Sequence, residues 1–211
     1  MPKQIDALIF DYAGTISSAR YFRKPCPGVP DWDGLVQELV FGDPDYCDAW
    51  MRGEITLVEV ACRIADGCGG DWEAVLDCLA AGCAEMPEQA SVIGLARALK
   101  ARGVPIGLVT INMDVFTEVV VPRHGYDRLF DVIVNSADHG TIDKTQLWPR
   151  AFAALGAGVG YANSLLIDDS EHQVLSFRAK GGSAIRYLDE GSIAQGIGAY
   201  RIGKGAFNPL P

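Results

Sequence analysis

The chain has 211 residues, 49% of them hydrophobic, and its 27 acidic and 18 basic side chains give a formal net charge of −9. That length and apolar content support one good core plus a smaller second unit, and the acidity argues against nucleic acid or an anionic membrane surface as a partner. No apolar stretch approaches the roughly 18 residues of a membrane helix, so no membrane association is expected.

Met1-Pro2-Lys3-Gln4 leads straight toward the first strand, and no signal peptide is expected. Ala7-Leu8-Ile9-Phe10 is an apolar run that ends at Asp11, with Tyr12-Ala13-Gly14-Thr15 after it. A short apolar run bounded by a turn signal reads as a buried parallel strand. In open α/β sheets the carboxyl ends of strands are where ligands bind. Gly14 takes backbone angles denied to other residues and lets a ligand approach the main chain. A carboxylate at that edge beside a tight turn suits covalent or metal-assisted chemistry.

From about Asp31 to Met86 the pattern is helical. Trp32, Leu35, Val36 and Leu39 recur at helical spacing, as do Leu57, Val60, Ala61 and Ile64, then Trp72, Val75, Leu76 and Leu79. Thr56 followed by Glu59 is a capping box at a helix start. Gly67, Gly69 and Gly70 punctuate two of these helices. The six cysteines all lie in the first half and form no CxxC pair, so reduced, mostly buried thiols in a cytoplasmic protein are expected. No His stands at zinc-ligand spacing from them.

From about Gln89 helix and strand alternate. Strands are expected at 105–109, 132–134, 165–167 and 183–185, ending respectively at Thr110, at Asn135 and Ser136, and at Asp168 and Asp169, with Ser183-Ala184-Ile185 last. Helices are expected at 115–121, 147–155 and 171–179. Such alternation implies an α/β fold with a doubly wound, parallel, Rossmann-like sheet. The core is expected to comprise residues 1–16 and 88–211, with residues 17–87 inserted as a helical cap over the carboxyl edge of the sheet.

Polar side chains therefore collect at one edge: Asp11, Thr110, Lys144 and the Asp168-Asp169 pair. Their order and spacing resemble the four motifs of the haloacid dehalogenase superfamily of hydrolases, with the helical insert matching that superfamily's first-position cap. The first motif reads Asp11-Tyr12-Ala13-Gly14-Thr15, the second Leu108-Val109-Thr110 with Asn112 following. The third is Lys144, and the fourth is Leu165-Leu166-Ile167-Asp168-Asp169. The resemblance implies Asp11 as carboxylate nucleophile and Lys144 as the second catalytic group. Gly14, Thr15, Thr110 and Asn112 are the implied substrate-binding positions. Mg²⁺ is the implied cofactor, held by Asp11, the Ala13 carbonyl, Asp168 and Asp169, because hard oxygen donors fit that ion. The implied partner is a small-molecule substrate, on a monomer or homodimer.

Ala13 departs from the family pattern. Phosphatases of the superfamily carry a second aspartate there, which protonates the leaving oxygen and later activates water. The stretch Asp11 to Thr15 resembles phosphonoacetaldehyde hydrolases, which share Asp-x-Ala-Gly-Thr. Those enzymes use a cap lysine, yet no lysine occurs here between Lys24 and Lys100, and Lys144 stands where that subfamily has arginine. The 2-haloacid dehalogenases also lack the second aspartate and need no metal, but their fourth motif is rich in Ser and Asn. A Mg²⁺-dependent hydrolase of a small phosphorylated or phosphonylated metabolite is the expectation, with specificity set by the cap near Trp50, Arg52 and Glu54. A dehalogenase-like carbon–halide hydrolase and a weakly active or inactive ligand-binding protein are the alternatives. His124, His139 and His172 read as ordinary surface histidines.

Overall fold

The computed structural model describes residues 2–203. A short strand β1 (Lys3–Ile5) precedes β2 (Ala7–Phe10), which lies at the centre of the main sheet. Helices alone follow: α1 (Trp32–Val36), running on into a π-helical turn at Gln37–Phe41, then α2 (Pro44–Met51), α3 (Leu57–Cys68) and α4 (Trp72–Ala84). The alternating part comprises α5 (Ala90–Ala101), β3 (Ile106–Thr110), α6 (Val121–His124), α7 (Tyr126–Leu129), β4 (Val132–Asn135) and α8 (Lys144–Leu155). It continues with β5 (Ser164–Asp168), α9 (Glu171–Ala179), β6 (Ser183–Arg186), α10 (Glu190–Ile197) and β7 (Tyr200–Ile202).

Five strands form a wholly parallel sheet in the order β4-β3-β2-β5-β6. Strand order therefore reverses on either side of β2, and a crevice opens there at the carboxyl edge. β2, β3 and β5 are buried at every position, which is why they read as unbroken apolar runs. Period-two geometry splits β2: Leu8 and Phe10 join the core on one face with Leu95 and Leu99, while Ile9 joins Trp148 and Phe177 on the other.

The capping box forms, with Thr56 Oγ1 accepting from the Glu59 amide at 3.3 Å and the Glu59 carboxylate accepting from the Thr56 amide at 2.8 Å. The helical stretch shares its apolar core with the α5 face of the sheet: Trp50 stacks on Phe22 at 5.6 Å between centroids and 9° between planes. All six cysteines are free thiols.

Two features depart from the sequence reading. β1 and β7 form a separate parallel pair that three-residue strands with one buried position each do not announce. The helix expected at 115–121 instead makes a π-helical turn at Phe116–Val120 before α6. Pro122, in the first turn of α6, has no amide hydrogen to continue the earlier pattern.

Candidate active site

Asp11 follows β2 directly, and its amide extends the ladder by donating to the Ile167 carbonyl at 2.9 Å. The chain then turns tightly. The Tyr12 carbonyl accepts from the amides of Ile16 at 2.8 Å and Ser17 at 3.0 Å, and the Gly14 amide donates to the Ser17 carbonyl at 2.7 Å. Gly14 has φ +79°, and a Cβ there would overlap the Asp169 carboxylate. Glycine is thus required both by the left-handed backbone and by the close approach. The Thr15 hydroxyl accepts from the Asp169 amide at 3.1 Å, tying the first turn to the end of β5.

Lys144 opens α8 under the Asp143 cap, and it is only 4% exposed. Its Nζ lies 2.8 Å from Asp11 Oδ1 and donates to Asp168 Oδ2 at 2.7 Å. The Asp11 contact is a buried ion pair. Asp168 Oδ1 accepts from the Ser170 amide at 2.9 Å, which fixes that carboxylate. Oxygens of Asp11, Asp168 and Asp169 lie within 4.8 Å of one another. Burial pushes the Asp11 carboxyl well above the usual carboxylate range, and Asp168 adds to the rise while Lys144 opposes it. Burial pushes Asp169 up as well, with Asp168 contributing. Burial alone would lower Lys144, but the two carboxylates outweigh it and hold the ammonium charged.

One ammonium thus stands among three carboxylates. Their all-oxygen donor set and close spacing fit a hard divalent cation. Asp169 is available for one, because Ser170 caps α9 by accepting from the Gln173 amide. Thr110 and Asn112 reach the same edge by register, since Phe10 pairs with Leu108 on one side and Ile167 on the other. Both are buried, and the Asn112 amide group donates to Thr110 Oγ1 at 3.2 Å. Ser136 holds the Asn112 backbone by a bond in each direction, 2.8 and 2.9 Å. Ala13 is exposed and offers no side-chain proton donor.

Other residues take different places from those expected. Trp50 is fully buried and donates its indole hydrogen to Asp114 at 2.7 Å, while Arg52 and Glu54 pair with each other on the surface. His124 is half-buried, stacked on Tyr126 and 3.5 Å from Glu88. Lys24 pairs with Glu85 at the surface. Sequence reading gave no role to Asp114, which also accepts from the Leu57 amide at 2.8 Å and so joins the helical stretch to the end of β3. Nor did it single out Tyr21, whose hydroxyl is buried beside Asn112. An isolated Asp or Tyr between periodic segments carries no sequence signal of such contacts.

In the comparison with solved structures, the chain is similar to a HAD family enzyme from Bacteroides thetaiotaomicron, solved with magnesium and inorganic phosphate. The TM-score is 0.62 at 14% identity, covering 86% of this chain and 93% of that one. It is also similar to L-2-haloacid dehalogenase from Xanthobacter autotrophicus, with TM-score 0.57 and 16% identity over 91% of this chain and 82% of that one. The chain has the haloacid dehalogenase fold. A predicted HAD-like family hydrolase from Porphyromonas gingivalis is a further similar structure, with TM-score 0.62 and 15% identity over 87% of this chain and 91% of that one. No protein-family model and no curated protein matches the sequence. On this haloacid dehalogenase fold the acid cluster sits at the reversal of strand order, and no helix among the described residues is long and apolar enough to cross a membrane.

The cluster should be costly to disturb. Lys144→Met leaves buried Asp11 and Asp168 facing each other without a counter-charge, so it should destabilise the metal-free protein by about 3–5 kcal/mol. Urea unfolding at pH 7.5 measures this, and an unchanged midpoint would mean that Lys144 does not compensate the two acids.

Proposed function

We propose that the chain is a Mg²⁺-dependent hydrolase in which Asp11 attacks the phosphorus of a small phosphorylated or phosphonylated metabolite. The observation that carries this reading is the trio of carboxylates within 4.8 Å of one another, two of them bridged by buried Lys144. The carboxylate of Asp11 is the nucleophile: its oxygen bonds to phosphorus as the bond from phosphorus to the leaving group breaks. The leaving group departs with the electron pair and takes any proton it needs from solvent, and water then hydrolyses the acyl phosphate on Asp11 to free phosphate and the carboxylate. Lys144 orients Asp11 and supplies positive charge to the anionic group, and the Thr110 hydroxyl donates to it. Gly14, Thr15 and Asn112 complete the phosphate side. Asp11, Asp168, Asp169 and the Ala13 carbonyl hold Mg²⁺, which when bound supplies Lewis-acid charge that offsets repulsion between the attacking carboxylate and the substrate. Residues 17–87 act as the cap that excludes water.

A phosphate-release screen over phosphate esters and phosphonates, with and without Mg²⁺, tests the reading. Metal-dependent release is the expected result. In calorimetry, Mg²⁺ binding by the native chain should be lost in Asp168→Asn, and an affinity unchanged by that substitution would remove Asp168 from the metal site. One observation favours a second reading. Ala13 offers no proton, and a halide leaving group needs none. Metal-independent halide release from a 2-haloacid would replace the phosphatase reading, and tight binding without any turnover would favour a binding protein.

A further inference from the structure

The segment leaving the Asp11 turn forms one wall of a groove of about 330 Å³, with α1 and the π-helical turn opposite. That volume suits a small ligand. Tyr21 and Phe41 supply aromatic surface, and Gln37 a polar group. Arg20 and Arg23 line the same groove, and neither has an ion pair or hydrogen bond among the described residues. In a chain with 27 acidic side chains, two guanidinium groups left without a partner in one concavity are a notable combination. Asp33 also lines the groove, so the arginines outnumber the acid there.

The backbone of this wall is strained. Phe22 has φ +61°, which a bulky L-residue rarely adopts. The conformation is held by stacking on Trp50 and Phe41 and by a 2.6 Å hydrogen bond from the Trp32 indole to the Phe22 carbonyl. Such conformations persist where surroundings over-determine them, and they cluster at ligand clamps. Tyr21 lies between groove and site. It lines the groove, its ring centroid is 6.5 Å from that of Tyr12, next to Asp11, and its hydroxyl is buried.

We infer that this groove holds the non-reacting end of the substrate, and that this end carries a second anionic group on a flat or apolar body. Arg20 and Arg23 bind the anion, and Tyr21 and Phe41 flank the body. The inference rests on the hydrolase reading for the phosphate end, and it is tested without turnover. Calorimetry would compare phenylphosphonate with 4-carboxyphenylphosphonate, neither of which has a phosphate ester to hydrolyse. The native chain should bind the carboxylated probe on the order of 10–100-fold more tightly, the range for hydrogen bonds to charged groups. Arg20→Ala combined with Arg23→Ala should bring that ratio to about one, and the Arg20→Lys, Arg23→Lys pair should retain part of it. Both arginines are exposed, so these variants keep the fold, and circular dichroism checks that. Benzene-1,4-diphosphonate in a parallel titration shows whether the second anion is better a phosphate or a carboxylate. Equal affinity of the native chain for the first two probes, or a preference that survives the double alanine variant, overturns the inference. An active hydrolase with that result fails the groove alone, whereas an inactive chain with the expected ratio fails the hydrolase reading alone.

Discussion

Asp11→Asn is expected to abolish phosphate release while the protein folds as before. The amide is nearly isosteric but carries no negative charge, so it cannot form the acyl phosphate. Folding should survive for an electrostatic reason. Lys144 keeps its 2.7 Å bond to Asp168, and the amide removes one charge from a buried cluster that holds more acids than ammonium groups. Burial already disfavours the charged form of Asp11, so the melting temperature of metal-free Asp11→Asn should equal or exceed that of the native chain. Release assays at saturating Mg²⁺ and a thermal melt measure the two effects. Unchanged turnover in this variant would exclude covalent catalysis by Asp11, and a large drop in melting temperature would show that the Lys144 pair needs both carboxylates.

Ala13→Asp is expected to raise hydrolysis of alkyl phosphate esters by about 10²–10⁴-fold, the contribution of a positioned general acid–base group. Ala13 is exposed, so a larger side chain meets no packed core there. The native chain should cleave activated aryl or acyl phosphates far faster than alkyl esters, because those leaving groups need no proton. The variant should narrow that gap chiefly from the alkyl side. Equal native rates on alkyl and aryl esters would mean that another residue supplies the proton. Glu171 is a poor candidate, since its carboxylate is taken up by Arg186 at 2.9 Å. His172, exposed in the first turn of α9, is the better one.

The sequence by itself determined the central strands of the main sheet and the edge at which their polar residues gather. Unbroken apolar runs at 7–10, 106–109 and 165–167 are readable because parallel strands are buried on both faces, and each hands over to polar residues at its carboxyl end. The capping box at Thr56 and Glu59 is equally legible, because its hydrogen bonds span three residues. Only tertiary structure decided what depends on contacts between distant segments. Lys144 is marked on the sequence only by its resemblance to the third motif, ahead of a helix expected to start at Leu147, and it becomes a buried counter-ion because α8 starts at Lys144 itself, beside the ends of β2 and β5. Ser170, not its neighbour Asp169, caps α9, a choice between two residues able to cap a helix that composition cannot make. Trp50, placed by the sequence near a specificity-setting turn, is withdrawn into the core by Phe22 and Asp114. Arg20 and Arg23 line a common groove on either side of Phe22, whose left-handed backbone is held by stacking partners up to 28 residues away. Local periodicity and capping are encoded within a few residues, whereas burial of charge and convergence of side chains are properties of the packed whole.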